Sequence, residues 1–383
     1  MEIGEPVSVA LAVKPVIHAS LLIKEVTFGG NHPVEQDTLG NFAAPEWVRG
    51  RSKQWPVCYT RGKPVKITAK FSVTGKPTST ETVSIRAKLQ VGSATLEWTG
   101  SVTVNPSDAE VVTAELTSSA SLPNEVNCFD PAKIEFFYTA PSEPESSAGS
   151  SQNILYVVLA DPSGTPAYWT LLDISCRAAA GVTSQADLVT KSYTPFTSRA
   201  LKRERDSKGL TYWNPRTTKA TNTKRLLESG DGSGQCGSWS EFLVDMHKVH
   251  GITSSAKVLV VINVPVWQAS SAGFLVKNWQ FRGTGSHPAP WTHEMYTECV
   301  EKRGIPGQRN PNPPPAFFNH FIVFSFGQFY DPSYGGGPIK DQIDWEAGAI
   351  DGLFSGSRAG YPKSAHLTTK LLEFWNLTTS TKI

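Results

Sequence analysis

Cys236 closes a glycine-rich run, Gly230-Asp231-Gly232-Ser233-Gly234-Gln235-Cys236, and Gly237-Ser238-Trp239 follows it. The glycines make the opening a poor helix former, so it reads as a loop. Trp239, Phe242, Leu243, Met246 and Val249 then recur at spacings of three and four, one apolar helical stripe. Gly251 stops that helix, and Ile252 is placed for the apolar contact of a C-terminal cap. Cys236 therefore sits at the start of a buried helix. Unpaired backbone N–H groups and the positive end of the helix dipole favour thiolate there. An unperturbed thiol, with pKa near 8.5, is only about 3% ionised at pH 7; a helix N-terminus and a nearby imidazolium lower that value by several units. Gly234 and Gly237 would let a substrate carbonyl approach the backbone, and the Cys236 N–H could then serve in an oxyanion hole.

A thiolate nucleophile needs a base and a group to orient the base. Asn319-His320-Phe321-Ile322-Val323-Phe324 is strand-like, and Gln328-Phe329-Tyr330-Asp331 is a second short strand. Ser325-Phe326-Gly327 between them predicts a tight hairpin. Folding there places His320 and Asp331 nearly opposite on one face, with Cβ atoms about 5 Å apart, give or take one residue of register. Imidazole and carboxylate would then lie within hydrogen-bonding reach.

These three motifs resemble those of the transglutaminase-like superfamily. Gly-Gln-Cys-x-x-Trp at 234–239 is similar to its nucleophile motif. Asn319-His320 and Asp331-Pro332-Ser333-Tyr334-Gly335 look like its His and Asp motifs, in the family's chain order. The resemblance spans about 170–350. It implies Cys236 as nucleophile, His320 as general base and acid, and Asp331 as the residue that holds the imidazole. The fold it implies is a papain-like α+β core, with the Cys helix packed on an antiparallel sheet bearing His and Asp. The hairpin is shorter than in animal transglutaminases and closer to compact bacterial members, which are more often hydrolases. The acidic calcium clusters of the animal enzymes have no counterpart, so no metal or other cofactor is expected. The family's upstream Trp has a candidate in Trp213, which core packing would explain equally well. Gln235 belongs to the motif as an oxyanion or substrate-binding candidate, or its side chain simply bonds backbone.

Upstream, the pattern changes to short strands. Val65 to Val73 alternates apolar and polar residues, as does Thr82 to Val91, and Leu96–Val104, Val111–Leu116, Ile134–Tyr138 and Ile154–Ala160 follow between turn signals. This predicts an α+β chain: an all-β sandwich over 1–165, then a transglutaminase-like catalytic domain over 166–383. The Pro/Ser/Glu-rich segment 141–151 reads as a hairpin loop inside the sandwich in preference to a linker. Helices are expected over Tyr168–Ala180 and over Ala186–Tyr193, the second ending before Pro195. Lys257–Val264 reads as an interior strand.

Composition excludes several classes. With 383 residues, 39% apolar and 18% charged, the chain can bury a large core and is not disordered. A net charge of +2 gives no footprint for nucleic acid. Residues 199–225 carry nine Lys/Arg and two acids, a solvated basic surface or a site for an acidic partner. Five cysteines argue against a disulfide framework, and Cys58, Cys128, Cys176 and Cys299 read as inert buried thiols. No run of eighteen apolar residues predicts a membrane span. The N-terminus lacks a basic n-region, so Val7–Val13 reads as a strand, and the cytoplasm is the default location with dedicated export left open. His247 and His250 have zinc-like spacing but no evident third ligand. His287 and His293 read as surface loop or cleft wall, and 306–315 as a spacer or a groove lining.

The activity expected is acyl transfer on peptide or glutamine amide bonds, with hydrolysis (protease, amidase or deamidase) favoured. A cross-linking enzyme and a non-catalytic binding or assembly protein are the alternatives. The partners expected are a protein or peptide substrate, with docking through the sandwich possible, and neither nucleic acid nor a membrane.

Overall fold

The alternating segments of the first half fold as strands of one sheet. The computed structural model describes residues 17–107, 110–214, 219–262, 272–283, 292–301, 305–360 and 372–383, so Val7–Val13, His287 and the end of the Lys257–Val264 segment lie outside the described residues. The nine strands run in the order Trp47–Val48, Ser20–Gly29, Pro64–Gly75, Val111–Ser121, Ala94–Val104, Glu81–Val91, Asn127–Thr139, Ser146–Val158 and Val57–Thr60. Only the last pairing is parallel. Ala94–Val104 pairs antiparallel with Val111–Ser121, with Trp98 facing Ser118. The sheet's two ends come together where Asn153 Nδ2 donates to the carbonyls of Glu46 (3.2 Å) and Trp55 (2.9 Å). The inward residues of Glu81–Val91 (Val83, Ile85, Ala87, Leu89 and Val91) are all buried, as period-2 alternation demands. The expected sandwich is thus a single curled sheet enclosing one apolar core around Trp98, Phe71 and Phe136.

Most of segment 141–151 is strand. Ser146–Val158 pairs with Asn127–Thr139 from Ser146 onward, with an irregularity between Ser147 and Gly149. The connection is short, and Arg86 clamps it by donating to both carboxylate oxygens of Glu145 at 2.8 and 2.6 Å. Serine and glycine composition reads as loop, but an antiparallel partner supplies the bonds such residues otherwise seek in turns.

Helices begin at Trp169–Ala178 and continue with Gln185–Thr197, Thr223–Glu228, Cys236–Lys248 and Gln342–Ala349. Ser184 caps the second by accepting from Asp187 N. That helix runs past Pro195 to Thr197, because a proline in the last turn removes one bond without ending the turn. The Cys236–Lys248 helix lies against an antiparallel six-stranded sheet ordered Gly336–Ile339, Gln328–Asp331, Asn319–Ser325, Ala256–Ile262, Leu372–Asn376 and Thr381–Lys382. Trp239, Phe242, Leu243, Met246 and Val249 are wholly buried, so the stripe faces the core. Gly251, at φ +74°, ends the helix: its N–H donates to Lys248 O (2.9 Å) and Ile252 N to His247 O (3.1 Å). This is the paired-bond left-handed stop that glycine supplies. The chain is α+β with strands predominating.

The two halves are joined through polar and apolar contacts. Val34–Glu35 pairs in parallel with Ala167–Tyr168. The buried Asp37 carboxylate accepts from Thr170 N (2.9 Å), Thr170 Oγ1 (2.6 Å) and Arg205 N (3.2 Å). Val34, Cys58, Val126 and Tyr156 share an apolar cluster with the helices that follow.

Candidate functional site

Cys236 is the first residue of its helix, and Gln235 is the N-cap residue. Two strands hold the approach: Thr211–Tyr212 pairs in parallel with Ser233–Gly234, and Gln235 N donates to Ala220 O at 2.8 Å. The Gln235 carbonyl accepts from Ser238 N and Trp239 N, while its side chain makes no capping bond. The sulfur-bearing residue is only 5% exposed. The flanking glycines do not both serve substrate approach. A Cβ on Gly234 would lie 2.2 Å from Ser238 Oγ and 2.9 Å from Leu226 Cδ1, so internal packing requires that glycine. A Cβ on Gly237 would meet Thr221 O at 3.3 Å.

The base comes from the next layer. Asn319–Ser325 pairs antiparallel with Ala256–Ile262, placing His320 beside Val260. The hairpin to Gln328–Asp331 turns on Phe326 and Gly327, with φ +48° and +77°, both in the left-handed region that two-residue hairpins use. Its register pairs Ser325 with Gln328 and Val323 with Tyr330. Continued one residue, that register faces Asp331 to Ile322. His320 and Asp331 are therefore diagonal neighbours on one face, not directly opposed; long side chains bridge that separation. They do so here: His320 Nε2 and Asp331 Oδ2 are 2.9 Å apart and buried.

Asp331 is fixed through its backbone. Tyr193 Oη donates to Asp331 O at 3.0 Å, and Gln308 Nε2 donates to Pro332 O at 2.9 Å. Three rings surround the imidazole: Trp345, stacked at 6.2 Å, Phe317 at 5.8 Å and Tyr334 at 5.7 Å. Burial alone lowers the His320 pKa. The charge and hydrogen bond of Asp331, with Cys236 adding in the same sense, outweigh burial and push it up to about 10. Asp331 occupies Nε2, and Nδ1 is buried without a hydrogen bond of ordinary geometry. Nδ1 is thus the nitrogen left to face the sulfur that acts on the ring.

Cys236, His320 and Asp331 are therefore brought together. Trp213 lies alongside the same loop: its N–H donates to Gly234 O at 2.9 Å and its carbonyl accepts from Asn310 Nδ2 at 3.0 Å. Its ring packs edge-on to Phe317 (5.7 Å) with Lys219 5.0 Å over it. The 306–315 segment is a strap. Gln308 N bonds Ser333 O, Gln308 O accepts from Tyr212 N, and Asn310 Nδ2 holds the Tyr212 and Trp213 carbonyls. Sequence reading passed over two buried tyrosines, Tyr212 and Tyr334, whose rings meet at 5.1 Å. Neither hydroxyl makes a hydrogen bond of ordinary geometry. Burial raises both well above the usual phenol range; Tyr334, Cys236 and Asp331 add to it at Tyr212, and Asp331 and Cys236 at Tyr334, where the contact with the Tyr212 hydroxyl acts in the opposite sense. The only signal available was their place inside motifs, Tyr212-Trp213 and Asp331-Pro332-Ser333-Tyr334.

The remaining candidates have structural roles. His250 Nδ1 accepts from Leu159 N (3.3 Å) and its Nε2 meets Ser175 Oγ (2.8 Å); His247 Nδ1 meets Ser255 Oγ (2.8 Å). Burial depresses both to about 3, so both are neutral. Among the described residues, no cluster of three or more His, Cys, Asp and Glu could hold a metal. His293 Nδ1 meets Thr292 Oγ1 at 2.7 Å. Burial raises the Cys128 thiol to about 12 and Cys299 to about 11, and Cys58 and Cys176 further. The basic stretch is partly internal. Arg203 is 1% exposed and binds Asp206 and the Leu227 and Ser229 carbonyls, while Arg199 donates to Tyr334 O. No helix among the described residues is long and apolar enough to cross a membrane.

No protein-family model matches the chain, and no curated protein matches it. Among solved structures, it is similar to the sporulation control protein Spo0M of Bacillus subtilis at 11% identity and a TM-score of 0.18. That match covers 42% of this chain and 54% of the other, so the chain spans about half of Spo0M's length.

Proposed function

We propose that the chain is a thiol acyl-transfer enzyme of the transglutaminase-like kind, hydrolysing amide bonds in peptides or proteins. The observation that carries this reading is the hydrogen bond from the buried His320 Nε2 to Asp331, with Nδ1 left for Cys236 at a helix start. In the charged state of the pair, His320 carries the proton on Nδ1 and the sulfur carries the electron pair. The sulfur attacks the carbonyl carbon, a C–S bond forms, and the π pair moves to oxygen. Backbone N–H groups at the helix start, with Gln235 beside them, face that oxygen. Collapse breaks the C–N bond as Nδ1–H protonates the departing amine, leaving a thioester. Water then attacks, gives its proton to Nδ1, and the thiolate departs. Residues 166–383 carry this chemistry, and the curled sheet within 1–165 serves as scaffold or docking surface for the substrate protein.

Alkylation tests the reading. A mild electrophile at about pH 6 should label Cys236 far faster than Cys58, and the difference should vanish in His320→Ala. Equal labelling of the two thiols would leave a binding or assembly protein as the better account.

A further inference from the structure

We propose that the cavity beside the His320–Asp331 pair is the subsite for the amine half of the substrate, and that it takes one apolar side chain, that of the residue after the scissile bond. The proposal rests on the acyl-transfer reading above and names the substrate class for the same site. The cavity encloses about 280 Å³. Its walls include His320, Asp331 and Tyr334, and Cys236 is not among them. In acyl transfer the acyl half is bonded to sulfur and the amine half receives its proton from the imidazole. A space that borders the imidazole without bordering the sulfur belongs to the amine half.

The rest of the wall is apolar: Phe274, Phe317, Ile339, Trp345 and Ile350 contribute. An apolar cavity of about 150 Å³ already holds benzene, so this one accommodates a leucine or phenylalanine side chain. Arg199 is the cation in the wall. It would repel a lysine ammonium, the amine of a cross-linking reaction, and ammonia from a glutamine carboxamide would leave the space unfilled. A peptide bond followed by an apolar residue matches the walls.

Gly348 supplies a position from which the cavity can be tested. It lies inside the Gln342–Ala349 helix and on the cavity wall, is exposed, and has no left-handed φ. A Cβ there would meet nothing within 4 Å. Glycine inside a helix is about 1 kcal/mol less favourable than alanine, and neither backbone conformation nor crowding demands it here. A larger side chain there would enter the cavity mouth, so the position can be used to fill it.

The test uses the full chain acetylated on Cys236 with p-nitrophenyl acetate, a donor with no amine half. Leucinamide, phenylalaninamide, glycinamide and aspartic acid diamide are then offered as acceptors. The acceptor nitrogen attacks the thioester carbon, His320 takes its proton, the C–N bond forms and the thiolate leaves. The apolar amides should react at least about 10-fold faster than glycinamide. Gly348→Phe should remove that advantage, and Gly348→Ala, which suits the helix, should keep most of it. Equal rates for all acceptors, or a preference for the aspartic acid derivative, would overturn the subsite while leaving the acyl-enzyme intact. Failure of Cys236 to acetylate would instead overturn the reading beneath it, and the subsite with it.

Discussion

Replacing Asp331 with Asn keeps the shape of the side chain and removes one charge, 2.9 Å from His320 Nε2. Holding the imidazole at about 10 in place of its ordinary 6.5 corresponds to about 5 kcal/mol favouring the protonated form. Without the carboxylate, burial acts unopposed. If the pKa returns only to 6.5, about a quarter of the imidazole stays protonated at pH 7. If burial takes it as low as in His247 and His250, about 3, the fraction falls to about one in ten thousand. The alkylation rate of Cys236 should fall accordingly, by between about fourfold and about 10⁴-fold at pH 7. The assay is the second-order rate constant for chloroacetamide from pH 5 to 10, read at Cys236 by peptide mass. Stability provides a second readout. A folded pKa raised above 6.5 contributes stability that is fully present below pH 6.5 and is lost as pH rises through about 10. The difference in unfolding midpoint between wild type and Asp331→Asn should therefore be largest below pH 6.5 and shrink through pH 10. A variant with the wild-type alkylation profile and a pH-independent stability difference would refute the reasoning.

Three further outcomes follow from the same structure. His247 and His250, held neutral with pKa values near 3, stabilise the fold fully above pH 6.5, and that stability is lost as pH falls toward 3; urea melts should show proton uptake on unfolding across that range, reduced in His250→Asn. Phe326 adopts φ +48° and is 46% exposed, so Phe326→Asn should gain about 1 kcal/mol by relieving a left-handed residue at little cost in burial, read as a higher guanidinium midpoint. Gly251→Ala places a Cβ 2.8 Å from Ala160 Cβ and 2.9 Å from Asp161 O, at φ +74°; it should lower the unfolding midpoint by more than the roughly 1–2 kcal/mol of the backbone conformation alone.

The Cys helix was legible because local signals agreed: a glycine-rich entry, a stripe at helical spacing, and a glycine stop followed by Ile252. The hairpin was legible as a hairpin, but its register was not. Ser325, Phe326 and Gly327 offered two turn lengths, and Phe326 is a poor residue for the left-handed position it fills. Sequence therefore placed His320 nearly opposite Asp331, with the register open by one residue, whereas the two-residue turn sets them on a diagonal. The 141–151 segment was misjudged in extent because serine and glycine carry no strand signal until a partner is in place. The cavity was beyond reach for another reason. Its walls come from Arg199, from Phe274 and Val276, from Ile305, and from Phe317 through Ile350, elements with no periodic relation to one another. The basic stretch misled because a count of charges does not tell which guanidinium is buried on carbonyls, as Arg203 is.

Three of the histidines form a comparison inside one molecule. His247, His250 and His320 are all almost wholly buried, at 0%, 0% and 2% exposure. Two make hydrogen bonds to serine hydroxyls, with a backbone amide as well for His250, and burial holds them near 3. The third bonds a carboxylate and is held near 10. Desolvation disfavours the charged form in every case, so burial cannot be what charges His320. Yet the low-dielectric surroundings supplied by Phe317, Tyr334 and Trp345 also strengthen its attraction to Asp331. The rings offer Nδ1 no competing acceptor, which on the proposed reading leaves it for the sulfur. An apolar cage without Asp331 would give a neutral, inert imidazole, and Asp331 in open water would give a weak, screened pair. The reactive arrangement requires both together.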